Sequence, residues 1–173
     1  CLNKPRGVVT AAKGNIVVAE ENNGQNEGSD SSRTGRIVKF DPHGDFLMAW
    51  QEFGKDLVQF QNPHAVAMDS RGRLFVADRG NHRIQIFDQE GNHSATWTQF
   101  GRPSGIAFDD QGRIYVADSE SDNVQNPGYE MGIRIGEVET GWVNEFIRFP
   151  WANPHILPGN GAEFVTVDRE GNI

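Results

Sequence analysis

The chain has 173 residues, 36% of them hydrophobic, with 16 Lys and Arg against 24 Asp and Glu for a net charge of −8. That length suffices for one domain with a real core. The acidic balance and the lack of a Lys/Arg cluster argue against nucleic acid, and no run of about 18 apolar residues exists to span a membrane.

The sole cysteine is Cys1, so no internal disulfide forms. Two readings of a chain that opens on Cys are the lipid-bearing first residue of a lipoprotein and a boundary inside a longer gene. The second is favoured because strand-like sequence begins at once. A secreted, periplasmic or lipid-anchored location is favoured over the cytoplasm.

From the first residues onward, short apolar runs alternate with Gly, Asn and Asp turns, the pattern of an all-β chain. The pattern repeats. Units begin near Lys4, Asn62, Arg102 and Gly161, reading KPRGVVTAAKGNIVVAE, NPHAVAMDSRGRLFVAD, RPSGIAFDDQGRIYVAD and GAEFVTVDREGNI, the last one truncated. Eight positions before the Gly of the first turn stand Arg6, His64, Ser104 and Glu163, at steps of 58 (6 to 64), 40 (64 to 104) and 59 (104 to 163). A basic period near 40 with four strands per unit predicts a β-propeller blade.

The extra residues fall in particular places. Between strands two and three, Glu20 to Arg36 and Asp118 to Arg134 each take 16 steps, whereas Asp78 to Arg83 takes 5. The remaining excess lies between units, near Gln51–Gln61 and Arg148–Asn160. In a four-stranded meander these insertions and the unit-to-unit connections share one end, and the start of every first strand points to it. That loop-rich end is where a rigid scaffold carries function, and it predicts a surface for a small ligand or a protein partner.

His64 is the sharpest candidate there, an imidazole suited to hold a metal or act as a base. Asn153-Pro154-His155 repeats Asn62-Pro63-His64 at the same end, and Glu163 takes the innermost position of the next unit. His64, His155 and Glu163 together predict a Zn²⁺ site. Arg6 at the equivalent position suits an anionic group, or a structural ion pair. The acidic loops Glu20–Asp30 and Ser119–Asp122 offer oxygen ligands to a structural Ca²⁺, with solvated loops as the favoured reading. Asp69, Asp109 and Asp168, and Glu20, Asp78 and Asp118, recur with the repeat and predict blade-building hydrogen bonds. Trp50, Trp97, Phe40, Phe87, Phe108 and Tyr115 predict blade-to-blade packing. His43, His82 and His93 are assigned no role.

Pro63, Asp69, Gly72, Arg73, Val76, Ala77, Asp78, Asn81, Arg83, Ile84, Phe87 and Asp88, and again Arg102–Asp118, resemble the NHL repeat. The resemblance implies a propeller that closes with six blades, of which three and one further strand are present: part of a longer ring, or half of one closed by a homodimer. Blade order, Pro63-His64 and the inserted loop of unit three, with Asn126-Pro127-Gly128, are similar to the bacterial peptidyl-α-hydroxyglycine α-amidating lyase group. That resemblance implies a channel Zn²⁺ held by histidines, with a base and an arginine, cleaving the C–N bond of a hydroxyglycine-extended peptide to an amide and glyoxylate. His64 matches a zinc histidine, Asn22 stands where the animal enzymes carry a tyrosine base, and Tyr129 in the long loop of unit three is the available phenol. The alternatives are a non-catalytic scaffold whose loops bind a protein or carbohydrate, and a sugar-lactone hydrolase, for which only Glu163 fits.

Overall fold

The computed structural model describes residues 2, 4–22, 34–50, 52–149 and 161–173. Three antiparallel meanders account for most of them. The first contains β1 (Pro5–Thr10), β2 (Ile16–Asn22), β3 (Thr34–Phe40) and β4 (Phe46–Trp50). A short parallel pair, β5 (Glu52–Phe53) and β6 (Gln59–Phe60), forms the connection to the second. The second meander runs β7 (Pro63–Met68), β8 (Leu74–Asp78), β9 (Arg83–Phe87) and β10 (His93–Trp97), and the third β11 (Pro103–Phe108), β12 (Arg113–Asp118), β13 (Gly132–Glu137) and β14 (Val143–Arg148). The chain is all-β, with the four-stranded sheets of a propeller.

Five of the described turns are built by one carboxylate each. Asp69 Oδ1 accepts the N–H groups of Arg71 and Arg73, Asp109 those of Gln111 and Arg113, and Asp168 those of Glu170 and Asn172. Asp41 and Asp88 repeat the device in the second kind of turn. An aspartate that ties its own loop offers the backbone an alternative to further strand, so each strand stops there.

The acidic residue that ends strand two has a different duty. Asp78 is fully buried and accepts from Gln61 N, Asn81 Nδ2, Arg83 Nε and Gln85 Nε2. Asp118 accepts from Arg102 N and Arg134 Nη1, and Glu20 pairs with Arg36. Burial pushes the carboxyls of Asp78 and Asp118 up, against these donors. In each unit the strand-two acid thus pins the strand-three arginine. Arg83 reaches further, to the carbonyls of Lys55, Asp56 and Gln59, so the connection between units is clamped to the second sheet.

The sheets stack through alternate side chains of the same strand. Leu74, Val76 and Phe87 of the second sheet pack on Val17, Ala19, Ile37 and Trp50 of the first. Phe75, Ile84 and Trp97 face the other way, against Ile114 and Val116 of the third. Both faces of β8 are buried, which is why its sequence is a continuous apolar run. Phe75 sits edge-on to Trp97 and Phe108, at 5.5 and 4.9 Å between ring centres. Each fully buried side chain of this size contributes about 1.5–3 kcal/mol.

First strands line up side by side. A Cβ on Gly7 would lie 2.8 Å from Val66 N, and one on Gly105 would lie 2.8 Å from Phe164 Cα. Residues 163–165 therefore pack on β11 as β7 packs on β1. They carry no strand pairing, because no second strand follows within the described residues, yet the Asp168–Asn172 turn is already formed. The expectation of solvated acidic loops is corrected for the described part: Glu20, Ser119 and Ser121 are 0% exposed and Asp122 only 5%. Residues 23–30 of the first loop, and His155, lie outside the described residues.

Candidate functional site

The start of each first strand is a β-bulge. Pro5 pairs with Glu20 and Gly7 with Ala19; Pro63 pairs with Asp78 and Ala65 with Ala77; Pro103 pairs with Asp118 and Gly105 with Ala117. The residue skipped in each case is Arg6, His64 or Ser104. Proline lacks an N–H for the ladder, and the extra residue behind it turns its side chain out of the sheet. The three positions picked out by the repeat are therefore the three side chains the backbone releases.

Two of the released side chains meet the residue 15 positions later, one past the acid that strand two contributes. Arg6 Nε pairs with Glu21 Oε2 at 2.7 Å, and Ser104 Oγ lies 2.6 Å from Ser119 Oγ. His64 has Arg79 as its counterpart, close enough for the guanidinium to act on its protonation.

His64 is 3% exposed. Its Nδ1 lies 3.0 Å from the Ser104 carbonyl oxygen, which only accepts, so Nδ1 carries hydrogen. Its Nε2 stands 3.0 Å from Glu163 Oε2. Burial, then the charges of Arg79 and Arg6, push the imidazole below the ordinary histidine range, while the Ser104 carbonyl and Glu163 pull the other way. The close carboxylate by itself favours an imidazolium. Glu163 is 40% exposed, however, and its field is screened, so burial and Arg79 prevail and the neutral ring presents a lone pair at Nε2.

Two acceptors thus stand side by side where the first strands begin, and an electrophile suits the space between them. A backbone carbonyl fixing Nδ1–H is also how metal-ligating histidines are oriented. Against this, Arg79 Nη1 is 3.4 Å from Glu163 Oε2 and already supplies a positive charge. Among the described residues, no group of three or more His, Cys, Asp or Glu is placed to hold a metal ion. His64 and Glu163 are brought together as the sequence predicts. Arg6 lies at the same end, in the ion pair read as its structural alternative. Tyr129 hydrogen-bonds the Thr98 carbonyl at 3.4 Å and stacks on Arg134 at 4.9 Å.

Sequence reasoning missed Arg79, Arg102, Glu120 and the part played by His82. Arg79 pairs with Glu120 Oε1 at 3.1 Å, Arg102 Nη2 with Glu120 Oε2 at 2.7 Å, and Arg102 Nη1 donates to His82 Nε2 at 2.8 Å. Burial raises the Glu120 carboxyl, but the Arg102 hydrogen bond and the two guanidinium charges hold it below the usual glutamate range. The 15-residue offset was the available signal: applied to His64, it picks out Arg79.

Comparison with known proteins settles the repeat. The pattern described as NHL repeat matches residues 60–87 and 100–125. The chain carries NHL repeats. It is 41% identical over 71 residues to NHL repeat-containing protein 3 of Homo sapiens, covering 39% of this chain and 20% of that protein. It is 42% identical over 67 residues to peptidyl-glycine alpha-amidating monooxygenase A of Xenopus laevis, covering 36% of this chain and 7% of that protein. Among solved structures, the nidogen/laminin complex superposes with a TM-score of 0.65 at 16% identity, over 95% of this chain and 52% of that one. The chain thus spans a fifth or less of these curated relatives and about half of this solved neighbour, and its fold is that of the β-propellers.

Proposed function

We propose that the channel mouth of this NHL propeller is a lyase site of the peptidyl-α-hydroxyglycine type. His64 and Glu163, with His155, hold a divalent metal, and Arg79 and Arg6 receive the carboxylate of a hydroxyglycine-extended peptide. The observation that supports this reading most is the buried His64, with Nδ1–H fixed on the Ser104 carbonyl and Nε2 turned to Glu163. A bound zinc ion would polarise the substrate's oxygens. The chain's own part is to hold Nε2 free of a proton, on the bulge that opens β7, and to place the positive charge of Arg79 and Arg6 beside the substrate's carboxylate.

Metal content by plasma mass spectrometry tests it. Near-stoichiometric zinc that disappears in His64→Ala, with cleavage of a hydroxyglycine peptide by the loaded protein, is the expected outcome. No bound transition metal in either protein overturns the reading. A second reading, a binding scaffold without chemistry, is favoured by one specific observation: Arg79 already supplies Glu163 with the positive charge that a metal ion would bring.

A further inference from the structure

Arg79 is 93% buried, since only 7% of it is exposed, yet its hold on the protein is slight. Its Nε finds no hydrogen-bond partner among the described residues. One nitrogen, Nη1, makes both of its ion pairs, to Glu120 Oε1 at 3.1 Å and to Glu163 Oε2 at 3.4 Å. The longer contact goes to a carboxylate that is 40% exposed on a segment without strand pairing, so it restrains little. The shorter one goes to Glu120, whose other oxygen is fixed by Arg102 at 2.7 Å. Arg102 is itself 8% exposed, anchored by its own N–H to Asp118 and by Nη1 to His82. The chain of contacts crosses from the second sheet to the third and back.

We propose that Glu120 is the positioning residue of the mouth: braced by Arg102, it aims the Arg79 guanidinium at Glu163 and His64. Resting on the functional reading above, this gives the inserted loop of the third unit a task, because that loop supplies the group that orients the second unit's arginine.

The test is nuclear magnetic resonance of the arginine Nη–H groups in the 173-residue chain. In the unaltered protein the Arg79 Nη1–H groups, held on Glu120, exchange slowly with water. In Glu120→Gln, which keeps shape and removes charge, their exchange accelerates by about tenfold or more, as loss of a charged hydrogen bond requires. Arg102→Gln, which leaves Glu120 in place without its brace, gives a smaller acceleration, and Glu120→Asp recovers part of the protection. A role in blade packing alone would lower the melting temperature and leave Arg79 exchange unchanged in a variant whose β9 amides remain protected; that result overturns the proposal. Should Glu120→Gln fail to fold, unchanged Arg79 exchange in Arg102→Gln overturns it equally. None of these readouts needs metal or turnover, so a failed lyase assay and a failed positioning role are told apart.

Discussion

His82 shows how one side chain acquires a duty from its neighbours. It sits in a left-handed conformation at φ 54°, after the 3-10 turn Arg79–Asn81, and accepts from Arg102 through Nε2. Only a neutral ring can accept there. Burial first, then the Arg102 charge and more weakly Lys55, hold its pKa below the ordinary 6.5, while Asp118 and the Asn126 side chain pull it up. The folded state therefore binds fewer protons than the unfolded chain as pH drops past 6.5, and stability falls until the folded-state pKa is passed. Urea unfolding from pH 7.5 down to 5 is expected to show this loss of stability, reduced in His82→Gln. Ring resonances of His82 that titrate at or above 6.5 would contradict it. Nothing at His82 in the sequence advertises this, since the residue it accepts from lies 20 positions on, in the next unit.

Among the elements, the innermost strands impose the tightest steric demand. Gly7 on β1 meets the backbone of Ala65 and Val66 on β7 at distances that leave no room for a Cβ, and Gly105 on β11 meets residues 163–165 in the same way. Backbone yields far less readily than a side-chain tip. Gly7→Val is expected to cost about 1–3 kcal/mol by overpacking, whereas Val8→Thr next to it, on a side chain 67% exposed, is expected to be nearly neutral. Denaturant midpoints of the two variants check this. The strands themselves were legible: the apolar runs, the Gly turns and the recurring aspartates are local signals with local causes. The short β5–β6 pair was not, because Glu52-Phe53 and Gln59-Phe60 form strand through the carbonyls that Arg83 gathers from the connecting segment.

For the whole molecule, what matters is which face of a sheet has another sheet upon it. Phe87 pairs across its sheet with Leu74 as Phe40 pairs with Ile16, and the two phenylalanines are repeat equivalents. Phe87 is 2% exposed under the first sheet. Phe40 instead lines an open hollow of about 620 Å³ with Leu2, Ile16, Val18, Val38 and Phe46, the last 61% exposed. Phe87→Ala is expected to cost about 3–5 kcal/mol and Phe40→Ala clearly less, since the surroundings of Phe40 are already open. Equal losses in thermal or urea unfolding would show that the first sheet's outer face is covered in solution.

By itself the sequence determined the all-β class, the repeat and its period, the aspartate turns, the end of the blades at which the insertions gather, and His64 with Glu163 as facing positions. All of these follow from short-range chemistry or from comparing equivalent positions. Tertiary structure alone decided the charge network of Arg79, Glu120, Arg102 and His82, the burial of the Ser119–Asp122 loop, and the protonation of His64. The reason is physical: each of those depends on groups from different sheets meeting in a low-dielectric space, where burial competes with charges whose separation no sequence spacing records.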